Sequence, residues 1–282
     1  MRRIGGRLLA VGDIHGHLGR LEALMAEVAP APDDTVVFLG DYIDRGPDSR
    51  GVIEYLIGFG ERFPGAGAIF LRGNHEQLFL DFLAEHYASA PLCPPHLEGH
   101  RRLREISRLA LTELGDSDRD NFLLNGGVDI LDSYGALREQ AADEGKTVLV
   151  AECDRIPPEH IAFLATTRFW HEEAVSWVTG EGTRTGKFLF VHAGILPRIP
   201  LEQQDPMTLL WVRNQFLRSN SRFGGRTVVH GHSPSVRVPG GHPRRICVDS
   251  GVCRHGRVNR YSTRSWGRLT CCNVLDRRIW QS

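Results

Sequence analysis

The chain lacks any long apolar run. Hydrophobic residues make up 41% of its 282 positions, yet the longest unbroken apolar stretch near the start, Leu8-Leu9-Ala10-Val11, is cut by Gly12-Asp13. A secretory signal takes ~7–15 apolar residues and a membrane span ~20. Neither secretion by such a signal nor membrane insertion is expected. Charge of one sign is not in excess either, because 34 basic residues meet 34 acidic ones, so no global basicity points to nucleic acid. The balance hides fourteen Arg within 213–282 against Asp249 and Asp276, but Lys146 and Lys187 are the only lysines anywhere, so the preference for Arg is chain-wide and says little about a ligand. Six cysteines (Cys93, Cys153, Cys247, Cys253, Cys271, Cys272) form no C-x-x-C pair and no regular framework, which suits reduced thiols in a cytosolic protein. Three familiar phosphate and acyl chemistries fail on single residues. Gly180 to Lys187 is followed by Phe188 where a P-loop needs Ser or Thr. Gly231-His232-Ser233-Pro234-Ser235 lacks the closing Gly of a nucleophile elbow. Cys271 and Arg277 have the spacing of a cysteine phosphatase but no glycine between them to form a phosphate loop.

What the chain does have is a recurring punctuation. Short apolar runs end abruptly in Gly with Asp, Asn or His: Arg7 to Val11 before Gly12-Asp13-Ile14-His15-Gly16, Thr35 to Leu39 before Gly40-Asp41-Tyr42-Ile43-Asp44-Arg45-Gly46, Ala68 to Leu71 before Arg72-Gly73-Asn74-His75-Glu76. Lys187 to Val191 runs into His192-Ala193-Gly194, and Arg226 to Val229 into His230-Gly231-His232-Ser233. Each reads as a buried strand finishing in a polar turn. Between the first three lie helical periodicities, Leu18, Leu21, Leu24, Met25, Val28 and then Val52, Ile53, Leu56, Ile57. That order is β-α-β-α-β, whose parallel strands open their carboxyl ends on one sheet edge, where such folds place ligands. A single domain over 1–282 is expected, with 85–145 as a helical cap insertion containing a charged stretch at Arg101–Leu114. Ala174–Val178 and Lys187–Val191 read as a hairpin around a Gly180–Gly186 turn, making the sheet arrangement mixed. An Arg-rich loop, 252–266, precedes the last strand candidate, Leu269–Leu275.

Gathered at the tips are Asp13, His15, Asp41, Asp44, Asn74, His75, His192, His230 and His232, with Arg45 beside them. Carboxylate, imidazole and amide oxygen without thiolate make a donor set for Mn, Fe or Zn. Asp13 and His15, two apart, would lie on one face of an extended segment and grip one ion, with Asp41 bridging to a second. Two such ions would clamp the attacking and departing oxygens of an in-line displacement and lower the pKa of a bound water. Spacing alone leaves open whether His230 or His232 is the ligand.

These five motifs, in this order, resemble the phosphoprotein phosphatase branch of the calcineurin-like metallophosphoesterases, a likeness spanning residues 7 to 250. The resemblance implies an α/β fold with a β-sandwich of two mixed sheets flanked by helices. It implies one divalent metal on Asp13, His15 and Asp41 and another on Asp41, Asn74, His192 and His232. It makes His75 the general acid and Asp44 its carboxylate partner, which would raise the pKa of the imidazole. Arg45, Asn74 and Arg213 would hold the substrate phosphate. The implied reaction of this cytoplasmic enzyme is hydrolysis of phosphomonoesters by metal-bound hydroxide with no phosphoenzyme, most directly on phosphoserine or phosphothreonine in a protein or peptide. The nearest alternatives are a symmetrical dinucleoside tetraphosphate hydrolase, a phosphatase of nucleic-acid ends, and a degenerate fold that binds phosphorylated ligands without turnover. The stretch Val252 to Trp266 departs from bacterial relatives and leaves the substrate class open.

Overall fold

The side chains of Leu8 to Val11 are all buried, and on both faces. Leu8 and Ala10 pack with Val37, Leu39, Val175, Phe188, Phe190 and Val229, whereas Leu9 and Val11 pack with Leu21, Leu24, Met25, Val36, Phe38 and Val52. A strand covered on both faces needs an unbroken apolar run rather than alternation, and this explains the character of each run ending at a polar tip.

The computed structural model describes residues 2–3, 6–87, 118–141, 147–180, 182–234, 244–249, 251, 269–273 and 276–280. Its strands in chain order are β1 (Arg2–Arg3), β2 (Leu8–Val11), β3 (Thr35–Phe38), β4 (Gly67–Phe70), β5 (Leu137–Ala141), β6 (Thr147–Ala151), β7 (Trp170–Thr179), β8 (Gly182–Val191), β9 (Thr227–His230), β10 (Arg245–Cys247), β11 (Leu269–Asn273) and β12 (Asp276–Trp280). One sheet runs β12-β11-β2-β3-β4, parallel except for β12; the other runs β1-β7-β8-β9-β10, antiparallel up to β8 and parallel beyond. The two mixed sheets face each other across the Leu8–Phe190 cluster, and helices cover the outer faces. That is the α/β sandwich expected from the sequence.

Helix α1 (Leu18–Val28) lays Leu21, Leu24, Met25 and Val28 on the first sheet, each buried side chain contributing ~1.5–3 kcal/mol, and stops at Ala29 in a left-handed conformation. Helix α2 (Ser49–Ile57) is capped by Asp48, whose carboxylate accepts the Gly51 N–H at 2.7 Å. Helices α3 (Phe59–Arg62) and α4 (Asn74–Tyr87) follow; α4 begins within the third polar tip, so Asn74 and His75 are its first residues.

Two local readings differ from the sequence expectation. The β7–β8 hairpin pairs continuously from Trp170↔Val191 to Thr179↔Gly182, so the residues expected to turn at 182–186 extend a strand instead. The β-branched Thr183 and Thr185 favour the pleat there. Within 85–145, the described part holds helices Asp118–Leu124 and Val128–Ser133 and then β5, which pairs with β6 in an antiparallel hairpin, so strand accompanies helix. Phe122, Ile130, Leu131 and Tyr134 join the core with Phe79, Leu80, Phe82 and Leu83 of α4. The Arg101–Leu114 stretch and the basic loop 252–266 lie outside the described residues. Among the described residues no helix is long and apolar enough to cross a membrane.

Candidate metal centre

Asp13 and His15 follow β2; Asp41, Asp44 and Arg45 follow β3; Asn74 and His75 follow β4; His192 follows β8 and His232 follows β9. The first seven come from one sheet and the last two from the other. Their turns take an unusual backbone. His15, Asp41, Asp44, Arg45 and His232 have φ of 46, 52, 78, 65 and 61°, left-handed values that cost a residue bearing a Cβ ~1–3 kcal/mol each. Asp13 and His15 are therefore not the extended pair that their spacing suggested. The chain turns back instead, and the N–H groups of Ile14 and His15 both donate to the Asp41 carbonyl, at 2.9 and 2.8 Å.

Glu76 braces this arrangement. Wholly buried, its carboxylate accepts the N–H of Asp41 at 2.7 Å and of Tyr42 and Gly73 at 2.8 Å, tying the β3 and β4 tips together. The tips approach so closely that a Cβ at Gly73 would collide with the amide nitrogen and a carboxylate oxygen of Asp41.

Asp41 faces two ways. Its Oδ2 lies 3.5 Å from His15 Nε2 and its Oδ1 3.4 Å from His192 Nε2, a nitrogen that also lies 3.0 Å from Asn74 Oδ1. Two groups of donor atoms able to share a cation result, His15–Asp41–His75 and Asp41–His192–His232. The Nδ1 atoms of His15 and His192 are hydrogen-bonded to the carbonyls of Ile43 and Leu39, at 3.0 and 2.9 Å, which leaves each Nε2 as the lone-pair donor. Burial holds His192 down at a pKa of about 3 and pushes His15 and His232 well below the usual imidazole range, which favours the neutral form that a metal ligand needs. The carboxyls move oppositely: burial, then neighbouring carboxylates, drive Asp13 and Asp41 well upward. His232 Nε2 is buried with no hydrogen-bond partner, while its backbone N–H meets both oxygens of Asp13 at 3.2 Å. A buried orphan nitrogen among crowded carboxylates is what a divalent cation would resolve, and this oxygen and imidazole donor set fits one. Of the two neighbouring histidines, His232 faces the cleft, whereas His230 packs edge-on against Phe216 with its Nδ1 near the Gly231 carbonyl.

His75 sits beside this cluster. Its Nδ1 lies 2.6 Å from Asp44 Oδ2, and its Nε2 accepts from Arg45 Nη2 at 2.8 Å; Arg45 Nη1 reaches His15 Nε2 at 3.0 Å. The expected rise in the His75 pKa is not what this geometry gives. Burial and then the Arg45 guanidinium push His75 well down, and burial raises Asp44 to about 6. Asp44 is fixed by the Ser49 hydroxyl, which accepts its N–H at 2.9 Å, and is approached by Gly126, whose φ of 107° and lack of a Cβ allow the contact. Arg213 is largely exposed, with Nη1 donating to the His232 carbonyl at 3.2 Å and to Ser233 Oγ at 3.3 Å.

Arg45, Arg213, Asn74, His75 and the ligand candidates Asp13, His15, Asp41 and His232 line one cleft of about 180 Å³. Asn125, Trp211 and Asp249 line it as well, and sequence reading did not place them there. Trp211 meets His232 edge-on at 5.9 Å. Asp249 had a visible signal, since Ile246-Cys247-Val248 runs into Asp249-Ser250-Gly251 just as the other runs meet their tips. A larger groove, about 470 Å³, between α2, β4 and helix Pro158–Thr166 is lined by Leu56, Ile57, Phe70 and Phe163, with Glu159 and Arg168 as its ionisable groups, and gathers no comparable cluster.

The profile of the calcineurin-like phosphoesterases matches residues 6–262. The chain belongs to that family. Calcineurin-like phosphoesterases are hydrolases that use divalent metals, in keeping with the candidate groups above. A serine/threonine-protein phosphatase of Caenorhabditis elegans is 37% identical over 81 residues, which is 29% of this chain and 18% of the worm protein. A second worm protein named as a candidate serine/threonine-protein phosphatase is 45% identical over 69 residues, 24% of this chain and 15% of its own. The matches thus span under a fifth of those relatives. Among solved structures, one described as a candidate diadenosine tetraphosphatase has 20% identity and a TM-score of 0.48 over 89% of this chain and 86% of its own. The cold-active protein-tyrosine phosphatase of a Shewanella species has 14% identity and a TM-score of 0.44, over 87% and 71%.

Proposed function

We propose that this calcineurin-like phosphoesterase hydrolyses phosphomonoesters at a pair of divalent cations, with phosphoserine or phosphothreonine in protein as its leading substrate. The observation that carries the reading is Asp41, whose two oxygens face separate histidine groups. Asp13, His15 and Asp41 would hold one cation; Asp41, Asn74, His192 and His232 the other. Bound there, manganese or a similar ion pair would supply Lewis acidity and a water of pKa lowered toward ~7.

The chain's own groups do the rest. Arg45 can turn its fork onto two phosphate oxygens, with Arg213 and Asn74 as further donors on the same cleft. Drawing Arg45 away from His75 Nε2 removes the repulsion that helps keep the ring neutral, while Asp44 retains the Nδ1 proton. His75 can then carry a proton on Nε2 to the departing oxygen, a step worth ~10²–10⁴ in rate. No Ser, Thr or Cys stands among the described residues lining the cleft, which favours direct attack by water over a phosphoenzyme on such a side chain.

A side-by-side panel of phosphopeptides, p-nitrophenyl phosphate and diadenosine tetraphosphate, run with added manganese and metal analysis, tests the reading. Faster release from phosphopeptide supports it. Preferential cleavage of the dinucleotide assigns a nucleotide substrate instead, and metal occupancy without turnover makes the chain a binder of phosphorylated ligands.

A further inference from the structure

Asp249 stands where β10 ends. Because β10 pairs in parallel with β9, with Cys247 opposite His230, the two tips emerge side by side, and the Val248 N–H donates to the His230 carbonyl at 2.9 Å. The same stretch presses on the first tip, since a Cβ on Gly12 would run into the Val248 carbonyl. Asp249 is 5% exposed, lines the cleft with Asp13 and His232, and has Oδ1 anchored by the Gly251 N–H at 2.7 Å. Asp249 thus shares one cleft with both candidate ligand carboxylates, Asp13 and Asp41. Crowded acids alone would only repel one another. The independent sign of a ligand is His232, 5% exposed, with an unpartnered Nε2 grouped with Asp41 and His192.

We propose that Asp249 strengthens divalent-cation binding at the centre from outside the set of coordinating residues. The inference rests on the dinuclear reading above. Asp13 and Asp41 set two negative charges against the four positive charges of a cation pair, and Asp249 adds a third without occupying a coordination position. Outer groups that support a metal's ligands are typically worth ~10–100-fold in metal affinity.

Isothermal titration of manganese into chelator-treated protein tests it. Asp249→Asn keeps the shape and the acceptor for Gly251 while removing the charge, and should weaken at least one binding step by ~10–100-fold. Asp249→Glu, which keeps the charge, should lose less. Equal affinities in wild type and Asp249→Asn overturn the proposal and leave the dinuclear reading standing; a wild-type chain that binds no cation overturns both. If Asp249→Asn does not fold, Asp249→Ser gives the same comparison, with the same two results deciding it.

Discussion

Replacing Glu76 by alanine should cost the fold a large part of its stability. Three backbone N–H groups, of Asp41, Tyr42 and Gly73, now sit 2.7–2.8 Å from its buried carboxylate, and alanine offers them nothing. At ~1–3 kcal/mol for each buried unsatisfied donor the loss is ~3–9 kcal/mol. The whole stability of a domain is ~5–15 kcal/mol. Water entering the vacated space would recover part, which places the expectation in the lower half of that range. Glu76→Gln is the sharper perturbation. Oε2 serves Asp41 and Gly73 while Oε1 serves Tyr42, so an amide satisfies one side and turns its NH₂ against the other, at ~1–3 kcal/mol. Urea denaturation at pH 7, followed by tryptophan fluorescence, should rank wild type above Gln and Gln above Ala. The folded Gln variant should also bind manganese more weakly, because whichever side the NH₂ opposes, Tyr42 or Asp41 with Gly73, the turn that carries Asp41 is loosened. An alanine variant within ~1 kcal/mol of wild type would refute the claim that this carboxylate braces the two tips.

His75→Asn should keep metal content while kcat falls ~10²–10⁴-fold, and an unchanged kcat would remove His75 from the proton transfer. Arg45→Lys should raise KM for p-nitrophenyl phosphate ~10-fold or more through loss of the two-pronged grip, with metal content as the control. Chelation should lower the melting temperature by several degrees and manganese restore it, on the ~2.7 kcal/mol expected when ligand stands at 100 times Kd; an unmoved midpoint would count against a cation site. Asp34 gives a pH signature far from catalysis. Burial raises its carboxyl, but hydrogen bonds from Arg7 and Ala31 outweigh that and hold it below the usual value. The stabilisation is therefore complete above the unfolded pKa of ~3.9 and is lost as pH falls through the lower folded value. Asp34→Asn should destabilise at pH 7, with the gap to wild type closing in acid; a gap constant from pH 7 to 2 would disprove the assignment.

The five polar tips were legible because a strand buried on both faces has to be apolar and its exit has to be polar, a contrast a single sequence displays. Which histidine of His230-Gly231-His232 turns to the cleft was not, since that depends on His232 adopting a φ of 61°. The left-handed turn at His15 was equally hidden, because its partner, the Asp41 carbonyl, is 26 residues away. Glu76 was visible as a letter in a motif, but its task concerns backbone N–H groups that no side-chain pattern reports. Asp249 ends an apolar run as the other tips do, but its place beside the His230 tip needed the parallel pairing of β9 with β10, a contact formed only in three dimensions. The hairpin was legible but the strand over 182–186 was not, because Gly180, Gly182 and Gly186 suggest a turn more strongly than the β-branched threonines between them suggest a strand.

The donors are divided between the two sheets of the sandwich, with Asp13, His15, Asp41 and Asn74 on one and His192 and His232 on the other. An ion held by both would act as a rivet across the seam. Sliding one half past the other by even a fraction of a bond length would pull such ligands apart, so conservative changes in the Val37–Phe190 filling, remote from any substrate, would reach the proposed chemistry through alignment alone.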